Sequence, residues 1–288
     1  MFKFITQKKK RMINKKDPIK NAMSGFEKHG IKHMSASSGN KARIALDAWI
    51  AQYLFKCRFA GGWAALQGSS VEKGVDQGVY YPDTSLEKCV SMAMDHMRNN
   101  SKMMKNQYDE LQKRESIVTQ MVEVALEQLR PFGIPEQPPR GERNQHKVEI
   151  PVVFEHFQIN CVGYLDYWYP DHNMVVDLKT TAKAPTDWSL DHGIQAAIYK
   201  KATHRKWKTN PDVRFLYCLT RKKNPYLWLD MEEPDFYIAS FKRTLRNLEK
   251  LLTAHTKEEL LDMIPHNPDT FYWNDADAIR AELYPDPA

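Results

Sequence analysis

The sequence is poor in the features that mark membrane, secreted and disulfide-rich proteins. It has no apolar run near the length of a membrane span, so no transmembrane helix is expected. The polar start lacks the apolar stretch of a secretory signal. No two cysteines form a CxxC pair, which argues against a zinc site or a compact disulfide framework. These absences predict a cytoplasmic protein with no membrane partner. The cysteines are Cys57, Cys89, Cys161 and Cys218.

Phosphate-binding glycine motifs are absent as well, and positive charge is scarce outside the N-terminal segment. Neither GxxxxGK[ST] nor GxGxxG occurs, so P-loop ATPases and Rossmann dinucleotide enzymes have no support. The first 50 residues hold 12 Lys or Arg and 3 Asp or Glu, whereas the other 238 hold 30 and 33. The body is therefore not predicted to be a basic nucleic-acid binder. Residues 1–33 predict a flexible basic tail, either a solvated extension or, through its KKKR run, a nuclear address or a phosphate-binding arm.

Hydrophobic periodicity predicts a helical front and a β-rich centre. Apolar residues at helical spacing predict helices within 35–130, and the Pro-rich stretch 131–145 ends them. Alternating residues then predict three strands, a helix over 188–207, two more strands and a helical C-terminal part. The order predicts an α/β (α+β) fold. We divide it into the tail (1–33), a helical subdomain (34–130), a core (146–234) and a C-terminal extension (235–288), with one compact unit from residue 34 on.

Two acids and a lysine are predicted to converge in the core. Asp166 ends one apolar strand, and Asp177 ends the next, just past the turn PDHN at 170–173. Lys179 lies two residues after Asp177 and so points to the same face of its strand. An ordinary salt bridge on a hairpin is the alternative. Because Val175 and Val176 make the strand apolar on both faces, we expect a central strand, whose end is a place where sites form.

The next helix adds two polar groups that can reach phosphate oxygens. Gln195 and Tyr199 lie four residues apart and therefore share one helical face. Upstream, the segment GSSVE places Glu72 on a predicted helix, where an exposed, solvated glutamate is the alternative reading.

Together these segments resemble the PD-(D/E)xK nuclease superfamily, in its RecB-like and phage-exonuclease branch. GYLDYWYPDHNMVVDLKTT followed by QAAIY is similar to that branch's G-x-x-D, D/E-x-K and Q-x-x-x-Y motifs, and GSSVE is similar to its upstream helical motif. The resemblance spans roughly 35–230, and its specific motifs lie in 163–199. It implies a restriction-endonuclease-like mixed β-sheet core flanked by helices.

The resemblance also implies a chemistry and the residues that perform it. Glu72, Asp166 and Asp177, with the Leu178 carbonyl, are expected to bind Mg²⁺, for which Mn²⁺ substitutes. Lys179 is expected to activate the attacking water. Gln195 and Tyr199 are expected to position the lysine or bind the scissile strand. Some RecB-like relatives hold an iron–sulfur cluster with three cysteines after the core; here only Cys218 follows, so we expect no cluster.

These expectations define a DNA nuclease, with an exonuclease favoured, in recombination, repair or phage DNA processing. DNA is the expected partner, with a separate helicase or a single-strand annealing or binding protein as a possible second one, and an oligomer is compatible. Phosphate contacts or a solvated loop are equal readings for Arg221, Lys222 and Lys223. The alternatives are an inactive DNA-binding or scaffold protein of the same fold, a structure-selective endonuclease, and a helical interaction protein built on residues 101–130.

Overall fold

A computed structural model describes residues 23–59, 61–102, 104–139, 145–274 and 276–285. The helices in these ranges are α1 (Gly25–Lys28), α2 (Ala36–Ile44), α3 (Leu46–Tyr53), α4 (Trp63–Tyr80), α5 (Leu86–Asn100), α6 (Gln107–Leu129), α7 (Leu190–Trp207), α8 (Pro234–Ala254), α9 (Lys257–Met263) and α10 (Asp277–Leu283). The strands are β1 (His33–Met34), β2 (His146–Val153), β3 (Gln158–Leu165), β4 (Tyr167–Tyr169), β5 (Met174–Thr181), β6 (Asp212–Leu219) and β7 (Tyr226–Asp230). The mixed α/β fold is therefore confirmed.

A four-stranded mixed sheet of order β4-β5-β6-β7 forms the centre of the molecule. Strand β5 pairs antiparallel with β4 and parallel with β6, so it has neighbours on both sides. Val175 and Val176 are fully buried on its two faces. The prediction of a central strand is confirmed. The turn PDHN is also confirmed: a 3-10 turn over Pro170–His172 leads into Asn173, which adopts the left-handed conformation.

A second sheet has the order β1-β3-β2 and carries a long hairpin. Strands β2 and β3 pair antiparallel along eight residues, from His146 opposite Leu165 to Val153 opposite Gln158. The Phe154 amide donates to the Phe157 carbonyl at 2.9 Å and closes the tip of the hairpin. The far end of β3 leads directly to Asp166, so this hairpin connects the tip to the acidic cluster.

Helices cover both faces of the central sheet. Side chains of α4, α5 and α6 pack against one face, with Tyr167 and Val176 in the same apolar cluster. Side chains of α7 pack against the other face, with Val175 and Phe215. A third apolar cluster joins α1, α2, α3 and α8 to the second sheet. Burial on both faces explains why β5 reads as a continuous apolar run before Asp177.

Ordered structure begins earlier than the sequence predicts. Residues 1–22 of the predicted tail lie outside the described residues, but 23–33 include α1 and the first residue of β1. Phe26 is buried, and the Glu249 carboxylate accepts hydrogen bonds from the Gly25 and Phe26 amides at 2.8 and 3.2 Å. Burial of the Phe26 ring and the hydrogen bonds to the distant Glu249 carboxylate thus order this polar segment. The division into domains stays a prediction.

The helical front differs in one further respect. The apolar pattern of residues 35–55 suggests one helix, but the structure has α2 and α3, separated at Ala45, which is non-helical with φ −147° and ψ 72°. Asp47, in the first turn of α3, is buried and accepts hydrogen bonds from the C-terminal segment. The break between α2 and α3 therefore coincides with a contact between Asp47 and the C-terminal segment, which hydrophobic periodicity does not reveal.

Candidate active site

The two predicted aspartates meet at a pocket of about 650 Å³ between the two sheets. Tyr167 pairs with Val176 in the antiparallel register of β4 and β5. The same register places Asp166, the residue before Tyr167, opposite Asp177, the residue after Val176. Asp166 and Asp177 are 8% and 1% exposed, and both border the pocket. The Leu178 amide donates to Asp166 Oδ2 at 2.8 Å and orients that carboxylate. The hairpin geometry therefore brings the two acids together, as the sequence predicts, although Asp177 lies in the middle of β5 and not at its end.

Glu72 reaches the same pocket from α4. Helix α4 packs against β5 and directs the Glu72 carboxylate towards the two aspartates. The side chain of Gln145 lies between them, since its Nε2 donates to Glu72 Oε1 and to Asp166 Oδ1, both at 2.8 Å. Sequence reasoning missed Gln145, which belongs to the Pro-rich connector before β2 and has no motif around it.

Lys179 lies beside Asp177 on the same face of β5. Its ammonium group forms an ion pair with Asp177 Oδ2 and sits 4.9 Å above the ring of Phe215. Burial lowers the pKa of Lys179, but the neighbouring Asp177 and Asp166 carboxylates outweigh it and hold the pKa above its ordinary value. The lysine is therefore a cation in the metal-free site.

Gln195 and Tyr199 form a chain of hydrogen bonds that holds the Asp177 carboxylate, and we name this chain the relay. Gln195 Nε2 donates to Asp177 Oδ1 at 3.1 Å and to the Tyr199 hydroxyl at 2.8 Å. That hydroxyl donates in turn to the Tyr164 carbonyl of β3 at 2.6 Å. The two side chains thus contact Asp177 and the β3 backbone rather than Lys179. These contacts indicate that the pair orients Asp177, and the expected role in positioning the lysine or binding the scissile strand stays a prediction.

Gly163, the glycine of the G-x-x-D motif, is required for a steric reason. A Cβ atom at Gly163 would lie 2.7 Å from Cε1 of Tyr199. A side chain there would push the tyrosine ring away from β3, and the hydrogen bond to Tyr164 would be lost. Gly163 therefore permits the relay from Tyr199 to Asp177, and the G-x-x-D and Q-x-x-x-Y motifs belong to one structural unit.

The pKa values of Glu72 and Asp166 lie above their ordinary range. Burial, followed by repulsion from Asp76 and Asp177, raises the pKa of Glu72 to about 7. Burial, together with the Asp177 and Glu72 carboxylates, raises the pKa of Asp166 well above its ordinary value. Buried negative charges that lie close together repel one another, and a bound cation relieves both the burial cost and the repulsion.

The donor set fits a hard divalent cation in its chemistry. The pocket offers carboxylate oxygens from three elements, which Mg²⁺ and Mn²⁺ prefer over nitrogen or sulfur. Asp177 Oδ2 is buried and has its ion pair with Lys179 but no hydrogen bond of good geometry. As they stand, no three His, Cys, Asp or Glu side chains in the described ranges are arranged to hold a metal ion. The Gln145 amide instead donates hydrogen bonds to Glu72 and Asp166, and the Lys179 ammonium pairs with Asp177.

Two further polar residues at the site escaped the motif search. Asp76 lies one helical turn after Glu72 and accepts a hydrogen bond from the Tyr167 hydroxyl at 3.1 Å. His192 borders the pocket, and its Nδ1 lies 2.7 Å from the Tyr217 hydroxyl. Both positions could have been found from helical spacing, because Asp76 is four residues after Glu72 and His192 is three residues before Gln195.

The basic turn Arg221–Lys223 lies apart from the pocket. It follows β6, whose end is beside the end of β5 because the two strands are parallel. The three side chains are exposed, and Arg221 Nε donates to the Asn224 carbonyl at 3.0 Å within the turn itself. None of the three borders the acidic pocket. Their contact with phosphates stays a prediction.

A mixed sheet flanked by helices, with acids and an Asp-x-Lys pair at one edge, is the architecture of a nuclease. A family model of the PD-(D/E)XK nuclease superfamily matches residues 74–270, and the chain belongs to this superfamily. The match contains Asp166, Asp177, Lys179, Gln195 and Tyr199 and begins two residues after Glu72. Its members hydrolyse phosphodiester bonds and typically use divalent metal ions.

A solved structure of low sequence identity has a similar fold. A crystal structure of a protein from Eubacterium rectale named "Putative exonuclease" superposes with a TM-score of 0.56 and 12% identity, covering 85% of this chain and 88% of that one. A second structure, SSO0001, has 12% identity and a TM-score of 0.31, covers 64% of this chain and 74% of its own, and carries no weight for the fold. No curated protein sequence matches the chain. Across the described part of the chain, every helix is too short or too polar to cross a membrane.

Proposed function

We propose that this chain is a metal-dependent DNA nuclease that acts as an exonuclease. The observation that carries the proposal is the convergence of Glu72, Asp166, Asp177 and Lys179 on one pocket in a chain of the PD-(D/E)XK superfamily. Two buried aspartates, a glutamate from a separate helix and a lysine are a costly arrangement for a protein core. Binding of a cation and of a substrate phosphate would explain why the protein places these charges together.

The cation would be held by Glu72, Asp166 and Asp177, with the Leu178 carbonyl as a further ligand. Bound Mg²⁺ or Mn²⁺ supplies positive charge for the developing phosphate oxygens and acidity for a bound water. The Gln195 relay fixes the Asp177 carboxylate. Lys179 carries its proton beside that carboxylate, so it can orient the attacking water by a hydrogen bond and stabilise negative charge on the phosphate.

Exonuclease action is proposed over endonuclease action on two grounds. The motifs of residues 163–199 resemble the branch that contains processing exonucleases, and the similar Eubacterium rectale protein has exonuclease in its name. The described residues form no additional module for reading a DNA sequence. A structure-selective endonuclease and an inactive DNA-binding scaffold remain as the competing functions.

The test combines DNA topology with substitutions in the site. Linear duplex, linear single-stranded and closed circular DNA are incubated with Mg²⁺, with Mn²⁺ or with EDTA. The variants Asp177→Asn and Lys179→Met are compared with Asp171→Asn and Lys183→Met, which change exposed residues of the same types. We expect metal-dependent release of nucleotides from linear DNA and none from circles. Each site variant should lose at least about 100-fold in rate, and each control should keep its rate.

The other outcomes separate the competing functions. If closed circular DNA is cut, the protein is an endonuclease and the proposed exonuclease function is wrong. DNA binding without cleavage under either metal would favour the scaffold. Equal losses in the site variants and the matched controls would contradict the assignment of the pocket as the active site.

A further inference from the structure

A second groove lies far from the acidic pocket, at the tip of the β2–β3 hairpin. We name it the distal groove; it has a volume of about 900 Å³ and runs between the hairpin tip and helix α8. Phe154 and Phe157 line it from the hairpin, and Lys242, Arg246 and Lys250 line it from α8. None of these five residues takes part in the proposed chemistry.

The three cations of the distal groove form a stripe along α8. They are four residues apart, so successive side chains are spaced by about 6 Å along the helix axis. No ion pair is formed by any of the three within the described ranges. Glu249, the acid of the same helix that borders the groove, is engaged by the Gly25 and Phe26 amides. In the part of the chain that the structure describes, the stripe is therefore a row of three cations without a salt-bridge partner, and Glu155 and Glu249 are the two acids that border the same groove.

The opposite wall of the groove is aromatic. The rings of Phe154 and Phe157 stack at 4.2 Å with an interplanar angle of 9°. The guanidinium of Arg246 lies 5.6 Å from the centre of the Phe154 ring. This contact restrains the arginine and leaves the N–H groups at its edge available to an anion. An aromatic wall beside a row of cations is the combination that binds single-stranded nucleic acid without regard to sequence.

A smaller groove lies along β3, between the distal groove and the acidic pocket. Ser24 borders both the distal groove and this smaller one of about 380 Å³, which Lys32 and Asn160 also line. His33, the next residue after Lys32, borders the acidic pocket. From Gln158 to Asp166 the chain advances eight residues, or roughly 26 Å. A single strand can therefore lie in the active site and the distal groove at once.

We propose that the distal groove binds one strand of nucleic acid, held through its phosphates by Lys242, Arg246 and Lys250, while the same strand occupies the active site. The inference rests on the proposed nuclease function and names a second contact for its substrate. The spacing of the cations is close to that of successive phosphates along a strand. The N-terminal segment does not complement the charge of the three cations, since residues 1–22 hold eight Lys or Arg and one Asp.

The experiment measures binding apart from cleavage. Fluorescence anisotropy in EDTA gives the affinity for labelled single strands of about 4 and about 24 nucleotides at several salt concentrations. The variant Lys242→Gln/Arg246→Gln/Lys250→Gln is compared with Lys88→Gln/Lys200→Gln/Arg205→Gln, which removes the same charge elsewhere on the surface. We expect the groove variant to bind the long strand at least about tenfold more weakly, with a salt slope smaller by about 2, because three contacts are lost. Its affinity for the short strand should be unchanged.

The contrary results are distinct from those that test the proposed function. Wild-type affinity and salt slope in the groove variant, or an equal loss in the surface control, would overturn the inference even if DNA is cleaved at the acidic pocket. Conversely, absent cleavage with the expected loss of long-strand binding would reject only the nuclease chemistry. If poly-glutamate binds the wild type, the groove variant loses that binding, and long-strand affinity is unaffected, the groove is a protein-docking site and the inference is wrong.

Discussion

At the scale of single residues, the acidic pocket extends further into α4 than its motif indicates. Asp76 lies one turn beyond Glu72, between the pocket and the apolar cluster that α4, α5 and α6 form against the central sheet. Burial raises the pKa of Asp76 to about 6, although the Tyr167 hydroxyl donates a hydrogen bond to it. Its charge adds to the repulsion that raises the pKa of Glu72. Asp76 therefore tunes the site without bordering the pocket.

Asp76 should make the metal-free protein less stable as the pH rises. Because its pKa in the folded state is above the ordinary value, its stabilising contribution is complete below about pH 4 and disappears as the pH rises through about 6. Asp76→Asn removes this loss. From pH 4 to pH 7.5 we expect the variant to gain up to about 3 kcal/mol relative to the wild type. Urea unfolding in EDTA at several pH values measures the difference.

Asp83→Asn is the control, because Asp83 is exposed on the loop after α4. It should follow the wild type at every pH. An identical pH dependence in wild type and Asp76→Asn would show that Asp76 is not strained in the folded protein.

At the scale of elements, two glycines of α4 let this helix approach its neighbours closely. A Cβ atom at Gly74 would lie 2.7 Å from the carbonyl oxygen of Cys89 in α5. One at Gly78 would lie 2.6 Å from Leu126 Cδ2 in α6. The close approach keeps α4 packed in the layer that carries Glu72 to the edge of β5. Gly74 and Gly78 thus help to position Glu72 at the site.

Gly74→Ala should destabilise the protein by about 1–3 kcal/mol, because the new methyl group meets a backbone atom that cannot rotate away. In an unconstrained helix the same change stabilises by up to about 1 kcal/mol, so the sign of the effect is diagnostic. The free energy of unfolding in urea measures it. Gly61→Ala is the control, since the nearest atom to its Cβ is 3.6 Å away. A stabilised Gly74→Ala protein would contradict the close packing of α4 and α5.

At the scale of the whole molecule, one buried carboxylate joins the two ends of the described chain. Oδ2 of Asp47 in α3 accepts hydrogen bonds from the Asn267 amide and Trp273 Nε1, both at 2.8 Å, and lies 3.0 Å from His266 Nδ1. Trp273 packs with alanines of the α2–α3 region in a separate apolar cluster. The C-terminal segment therefore contacts the helical front through Asp47 and Trp273.

Asp47→Ala should loosen this contact. Since it leaves the buried Trp273 donor without an acceptor, we expect a loss of about 3 kcal/mol in the free energy of unfolding. Limited proteolysis should then cut first within 264–285. Asp262→Ala, at an exposed position of α9, should have neither effect. Proteolysis that proceeds equally in both variants would contradict the anchoring role of Asp47.

Much of the central architecture could be predicted because it depends on local pattern. The alternation of apolar residues predicted five strands in the region of β2 to β7, with β3 and β4 read as one, and the two apolar faces of Val175 and Val176 identified β5 as central. Asp166 and Asp177 were predicted to meet because a tight turn between antiparallel strands leaves few registers. By contrast, the ordered residues 23–33 were missed, since Phe26 and Glu249 are 223 positions apart.

The sequence by itself determined the class of the protein, because the G-x-x-D, D-x-K and Q-x-x-x-Y spacings are set by strand and helix periods that act over a few residues. Only the tertiary structure decided how these motifs work together. It placed the Gln145 amide between Glu72 and Asp166, turned Gln195 and Tyr199 onto Asp177, and aligned α8 with the hairpin tip. Such contacts join residues distant in the chain, and their energies depend on burial and on neighbouring charge, which no local pattern encodes.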